Sequence, residues 1–87
     1  GADCSGFTSY VYAHFGISIP SFSGAQRSCG QEVSYANAQA GDLICYAGHV
    51  AIYMGGGKIV HAKGTAYGIV GNDNATYKTI ITVRRLL

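Results

Sequence analysis

Cys4 lies in the run Asp3-Cys4-Ser5-Gly6-Phe7, where the residue pattern predicts the start of a helix. Helix starts present unpaired backbone N–H groups and the positive end of the helix dipole, so negative charge is favoured there. A thiol in such a place ionises more readily and is a better nucleophile near neutral pH. The same N–H groups can hold an oxyanion. His49 and His61 bracket the triple glycine Gly55-Gly56-Gly57. If the turn between them holds an odd number of residues, both histidines point to one face of a hairpin. His49 is expected on the polar side of its strand, with Val50, Ile52 and Met54 on the other. Two imidazoles side by side would supply a base and the group that orients it. A plainer reading stands beside this one: a small buried cysteine, one satisfied histidine and one exposed histidine.

The remaining reactive residues read differently. His14 falls near the end of the predicted helix, where a positive charge suits the dipole. Cys29 lies in a loop and Cys45 in an apolar run that belongs in a core. Asp42, between Gly41 and a strand, and Asp73, between two asparagines, both read as turn residues rather than catalytic acids. Three cysteines is an odd number, so a disulfide framework holding all of them is excluded, and without a Cys-x-x-Cys pair zinc is a weak reading. Of the seven tyrosines, some suit the lining of a groove and most are expected at half-buried sheet positions.

The elements that must position these groups follow from periodicity. Asp3 to Phe15 reads as a helix with Asp3 as N-cap, Phe7, Tyr10, Val11 and Phe15 at helical spacing, and Gly16 as the stop. Residues 17 to 40 look irregular. Leu43 to Tyr46 is a short apolar strand. Val50, Ile52 and Met54 alternate with His49, Ala51 and Tyr53, and Lys58 to Ala62 forms the partner across the glycine turn. Gly64 to Asn74 reads as a loop with a short strand near Ile69-Val70. Thr79 to Arg84 alternates again. One helix followed by an antiparallel sheet is an α+β pattern.

At 87 residues the chain is one domain, and at 48% hydrophobic and 11% charged it can build a compact core. Its net charge of +2 comes without a basic run, which gives no case for nucleic acid. No stretch of 18 apolar residues occurs, so no membrane span is expected, and no signal peptide is present in the chain.

Together these residues resemble the NlpC/P60 family of bacterial cell-wall cysteine peptidases. The matching stretches are Asp3-Cys4-Ser5-Gly6-Phe7-Thr8 with Tyr10-Val11-Tyr12, Gly16-Ile17, Ile19-Pro20, and Ser23 with Gln26. Gly41-Asp42-Leu43, Gly48-His49-Val50 with Ile52-Tyr53, and Val60-His61-Ala62 follow in order. The resemblance implies a papain-like α+β fold for residues 1–87, with an N-terminal helix bearing the nucleophile packed on an antiparallel β-sheet. It implies Cys4 as nucleophile, His49 as general base and His61 as the polar third member, with Asp3 and Ser5 helping to bind substrate. The implied substrate is a peptidoglycan stem peptide, cut between γ-D-glutamate and a diamino acid, with no metal or organic cofactor. A monomer that is secreted or associated with the cell wall is the corresponding expectation. The family's usual N-terminal helix and Tyr-x-Trp-Gly-Gly-like segment do not precede Cys4 here. Ser21 stands where an arginine is common, and Ala40 where a proline is common. Two rivals share the same residues: an amidase or acyltransferase of the same broad fold, and a wall-binding module with a disabled site.

Overall fold

A computed structural model of the chain describes residues 3–63 and 68–87. Helix α1 (Cys4–Ala13) and the single turn α2 (Ser23–Gln26) precede six strands: β1 (Gln31–Val33), β2 (Leu43–Tyr46), β3 (His49–Gly55), β4 (Lys58–Ala62), β5 (Ile69–Asn74) and β6 (Ile80–Arg85). Short 3₁₀ turns occupy Tyr35–Asn37 and Ala75–Tyr77. The strands form one antiparallel sheet in the order β1-β6-β2-β3-β4-β5. The expected helix-on-sheet α+β architecture is what the chain adopts.

Asp3 caps α1 as its sequence position predicts, its side chain accepting the Gly6 N–H. Glycine at position 6 leaves room for this, because a Cβ there would stand 2.5 Å from the capping oxygen and push the Asp3 side chain aside. The helix ends at Ala13, and Gly16 turns the chain at φ +77°. The buried stripe differs from the expected one. Ser5, Thr8 and Tyr12 are the fully buried positions, Phe7 and Val11 are partly buried, and Tyr10 and Phe15 face solvent at 65% and 64% exposure. The apolar pattern misleads here because the inner face is polar and hydrogen-bonded. Gln26, fully buried, donates to the Ser5 and Pro20 carbonyls and accepts from the Thr8 hydroxyl at 2.7 Å, tying α2 to α1. A buried amide with its partners satisfied avoids the desolvation cost that would otherwise exclude it.

The sheet is covered on both faces. Helix α1 packs on Leu43, Cys45, Val50 and Ile52. The opposite face carries a second cluster of Ile44, Tyr46, Ala51, Tyr53, Ile59, Ala75 and Val83. Strand β3 is therefore buried on both sides over much of its length, and the side expected to be polar is a core, with His49 at its margin. Met54, expected among the apolar positions, is 47% exposed.

The turn between β3 and β4 decides where the histidines go. Gly56 and Gly57 close a two-residue turn at positive φ, pairing Gly55 with Lys58. An even turn alone would send His49 and His61 to opposite faces. A bulge between Tyr53 and Gly55 shifts the register, so that Tyr53 faces Ile59 and Ile52 faces Val60. The five residues from Met54 to Lys58 then separate the regular pairs, and His49 and His61 fall on one face. Strand β5 is longer than expected: what reads as a loop with a short strand is a strand from Ile69 to Asn74, while residues 64–67 of that predicted loop lie outside the described residues.

Candidate active site

The structure brings His49 and His61 into direct contact. His49 Nε2 lies 2.6 Å from His61 Nδ1, and the rings meet edge to face with centroids 4.9 Å apart. His61 is fully buried. Its other nitrogen, Nε2, lies 2.8 Å from Asp73 Oδ2. Asp73 sits there because β5 pairs with β4, placing it opposite Ile59 and on the same face as His61. The residue that reads as a turn aspartate thus ends a chain of three polar groups, and its role as a turn residue is corrected. The hydrogen bond from His61, then the nearby Lys63 charge, hold the Asp73 carboxyl below its ordinary range against a smaller opposing effect of burial. Lys63 Nζ is 3.7 Å from the same oxygen.

These contacts constrain the tautomers. An ionised Asp73 accepts and cannot donate, so His61 Nε2 carries the proton. In the arrangement where His61 carries its proton on Nε2 alone, its Nδ1 lone pair accepts the Nε2–H of His49. Burial first, then the electrostatic influence of His61, Lys78 and Lys63, pushes the pKa of His49 down to about 4. His49 is therefore neutral near pH 7, with its lone pair on Nδ1.

Tyr77 completes the site, and nothing in the sequence pattern marks it. Its ring lies edge-on to Tyr46, His61 and His49, at centroid distances of 5.4, 5.5 and 6.4 Å. The 3₁₀ turn that carries it is fixed from below. Tyr46 Oη donates to the Ala75 carbonyl at 2.6 Å, and the Ala75 N–H donates to the Gly57 carbonyl at 2.8 Å. Burial, then the nearby Asp73 carboxylate, then Cys4 raise the Tyr77 hydroxyl above its ordinary range. Tyr77 thus packs on the histidine face, with Asp73 and Cys4 both contributing to its electrostatic surroundings.

Cys4 is the first residue of α1, partly buried and packed at the edge of the Tyr12 cluster. Among the described residues no hydrogen bond joins its sulfur to either imidazole. Asp3 is exposed and its side chain serves the cap. Ser5 is buried and its hydroxyl donates to the Ser21 carbonyl at 2.7 Å, so it anchors the segment after Pro20. Cys29 is partly buried, and Cys45 is fully buried among apolar side chains, where desolvation pushes its thiol up to about 11. Asp42 does hold a turn, accepting the Gln39 N–H at 2.8 Å, and it also receives two hydrogen bonds from Arg85.

A helix-start cysteine on an antiparallel sheet whose neighbouring strands carry a linked imidazole pair defines a papain-like α+β domain. The model of the NlpC/P60 family matches residues 1–85. The probable endopeptidase p60 of Listeria seeligeri is 47% identical over 66 residues, covering 70% of this chain and 13% of that protein. The peptidoglycan endopeptidase RipB of Mycobacterium tuberculosis is 44% identical over 70 residues, covering 76% of this chain and 29% of that protein. The crystal structure of RipB superposes with a TM-score of 0.88 at 38% identity, over 98% of this chain and 45% of that one. The chain belongs to the NlpC/P60 family, and it spans less than a third of the length of these curated relatives. No helix among the described residues is long and apolar enough to cross a membrane.

Proposed function

We propose that this chain hydrolyses peptidoglycan stem peptides at the bond between γ-D-glutamate and the following diamino acid. Cys4 is the nucleophile, His49 the general base, and His61 the residue that holds His49 in its useful tautomer. The observation that carries the reading is the contact chain His49–His61–Asp73, which suits an imidazole of His49 with its lone pair on Nδ1. Relatives described as peptidoglycan endopeptidases support the substrate class.

In this reading His49 Nδ1 takes the Cys4 proton as sulfur attacks the γ-glutamyl carbonyl. The Gly6 N–H is occupied by Asp3, so the N–H groups of Cys4 and Ser5 are the helix-start donors for the oxyanion. The imidazolium of His49 is stabilised through His61 by the Asp73 carboxylate. It then returns its proton to the leaving amine, giving a thioester that water, deprotonated by His49, hydrolyses. Asp3, exposed beside the nucleophile, offers a carboxylate to a cationic amine on a short stem peptide. Ser5 shapes the same rim through the Ser21 segment. The protein acts as a monomer that is secreted or associated with the wall.

Cys4→Ala is expected to abolish hydrolysis of a defined muropeptide, read by product mass, with the fold unchanged. Retained hydrolysis would remove Cys4 as nucleophile. Equal cleavage of the α-linked isomer would refute the bond choice alone. The pH profile tests the base. Protonated His49 cannot accept the thiol proton, so kcat/KM should hold through mild acid and fall as pH approaches about 4. An acid limb centred near the ordinary imidazole value of 6.5 would contradict the tautomer chain.

A further inference from the structure

A groove of about 480 Å³ opens beside the histidines, lined by Tyr35, Thr76, Tyr77, Lys78, Thr79 and Ile80. Its inner wall is Tyr77, the ring that lies against His49 and His61. Its floor is anchored, because the turn before it is tied to Tyr46 and Gly57. Lys78 is the charged member of the lining and is exposed.

Direction along the cleft follows from proton transfer. A base that takes the thiol proton must hand it to the leaving amine, so the leaving residue lies on the histidine side of Cys4. The groove adjoins the histidines through Tyr77, which lines it and packs against both rings, and its volume suits one or two residues. We propose that this groove holds the leaving diamino acid and that Lys78 pairs with a free carboxylate on it, making Lys78 a specificity residue. The proposal rests on the hydrolytic reading above and adds what that reading lacks, a reason to distinguish one leaving residue from another. The influence of Lys78 on His49 agrees with a cation placed at this end of the site. Tyr35 and Tyr77 would flank the aliphatic part of the residue, leaving the ammonium end toward solvent. Two carboxylates could supply the charge: the α-carboxylate of a chain-terminal residue, or the side-chain carboxylate of a diamino diacid.

The test uses matched probes with γ-D-glutamyl joined to L-lysine, to L-lysinamide, and to meso-diaminopimelate with its side-chain carboxylate free or amidated. Wild type should cleave at least one free acid over its amide by roughly fivefold in kcat/KM, the size of an exposed ion pair, expressed mainly in KM. The pair that shows the preference identifies which carboxylate is read. In Lys78→Met the ratio should fall to near one, Lys78→Arg should keep it, and Lys78→Glu should invert it. Equal cleavage of both acid and amide pairs by wild type, or a preference that survives in Lys78→Met, overturns the assignment of Lys78 and leaves the hydrolytic reading standing. Failure of wild type to cleave any probe defeats the hydrolytic reading and this proposal with it.

Discussion

Asp42 and Asp73 look alike in the sequence. Each sits among small or amide residues at the margin of a strand, and each reads as a turn aspartate. The fold gives them different partners. Asp42 is 3% exposed and receives Arg85 Nε at 3.0 Å on one oxygen and Arg85 Nη2 at 2.8 Å on the other, besides the Gln39 N–H. Burial pushes its carboxyl up, but the Arg85 and Gln39 hydrogen bonds outweigh that and hold it below the ordinary range. Asp73 is more open, and its main partner is a buried imidazole. Register decides which partner each meets. Leu43, next to Asp42, pairs with Arg84, next to Arg85, whereas Asp73 pairs with Ile59, two residues from His61. One carboxylate closes a structural ring between the start of β2 and the end of β6. The other extends the imidazole pair that the proposed mechanism uses to handle a proton, because the group it meets can change its protonation.

The comparison predicts that the two aspartates fail in different assays. Asp73→Asn should lower kcat by roughly tenfold to a hundredfold, because the amide can still accept from His61 Nε2 but no longer stabilises positive charge on the imidazole pair. Its melting temperature should stay close to wild type, since the carboxylate is partly solvated. A wild-type kcat in the folded variant would detach Asp73 from the site and leave it as a strand residue.

Asp42→Ala should do the reverse. It removes the acceptor of two Arg85 donors and of a turn N–H, all at a buried position. The melting temperature should fall by roughly 10 °C, as expected when a buried hydrogen-bonded carboxylate is lost from a domain of this size. Hydrolysis per folded molecule, measured well below the transition, should remain within about twofold. A large loss of activity in the folded protein would erase the contrast between the two sites.

What the sequence reveals of the site is what local spacing controls. The run from Asp3 to Gly6 announces a capped helix start, so Cys4 stands out. His49 and His61 flank a glycine turn, so their meeting hinges on one parity question. Their shared face was expected of an odd turn, and the protein reaches it with an even turn plus a bulge at Met54, a backbone event that no side chain there signals. Asp73 was illegible for a different reason. Strand β5 runs through Gly71-Asn72-Asp73-Asn74, residues depleted in strands, with Asn72 at φ +66°. It becomes a strand because β4 offers it a backbone edge to pair with. Tyr77 was hidden because it reaches the histidines from a turn held by hydrogen bonds remote in sequence. The helix face misled because Gln26, Thr8 and Ser5 bury a polar network where an apolar stripe is the usual signal.

The smallest expected effect sharpens the Asp42 side of the comparison. Arg85→Lys keeps the positive charge but replaces a planar fork with a single ammonium. Arg85 uses Nε and Nη2 on the two oxygens of Asp42, and Nη2 also donates to the Asn37 carbonyl at 3.0 Å, clamping the 3₁₀ turn. A lysine can reach one of these acceptors well and cannot match the bidentate geometry. If charge alone holds Asp42, the variant should melt with wild type. If the fork matters, the melting temperature should drop by about 2–4 °C, well short of the loss in Asp42→Ala, because the carboxylate keeps a cationic partner and its Gln39 N–H. Thermal melts of the two variants beside wild type decide between these outcomes. A drop as large as that of Asp42→Ala would mean that Asp42 depends on the guanidinium for all of its contribution, and the turn N–H would then count for little.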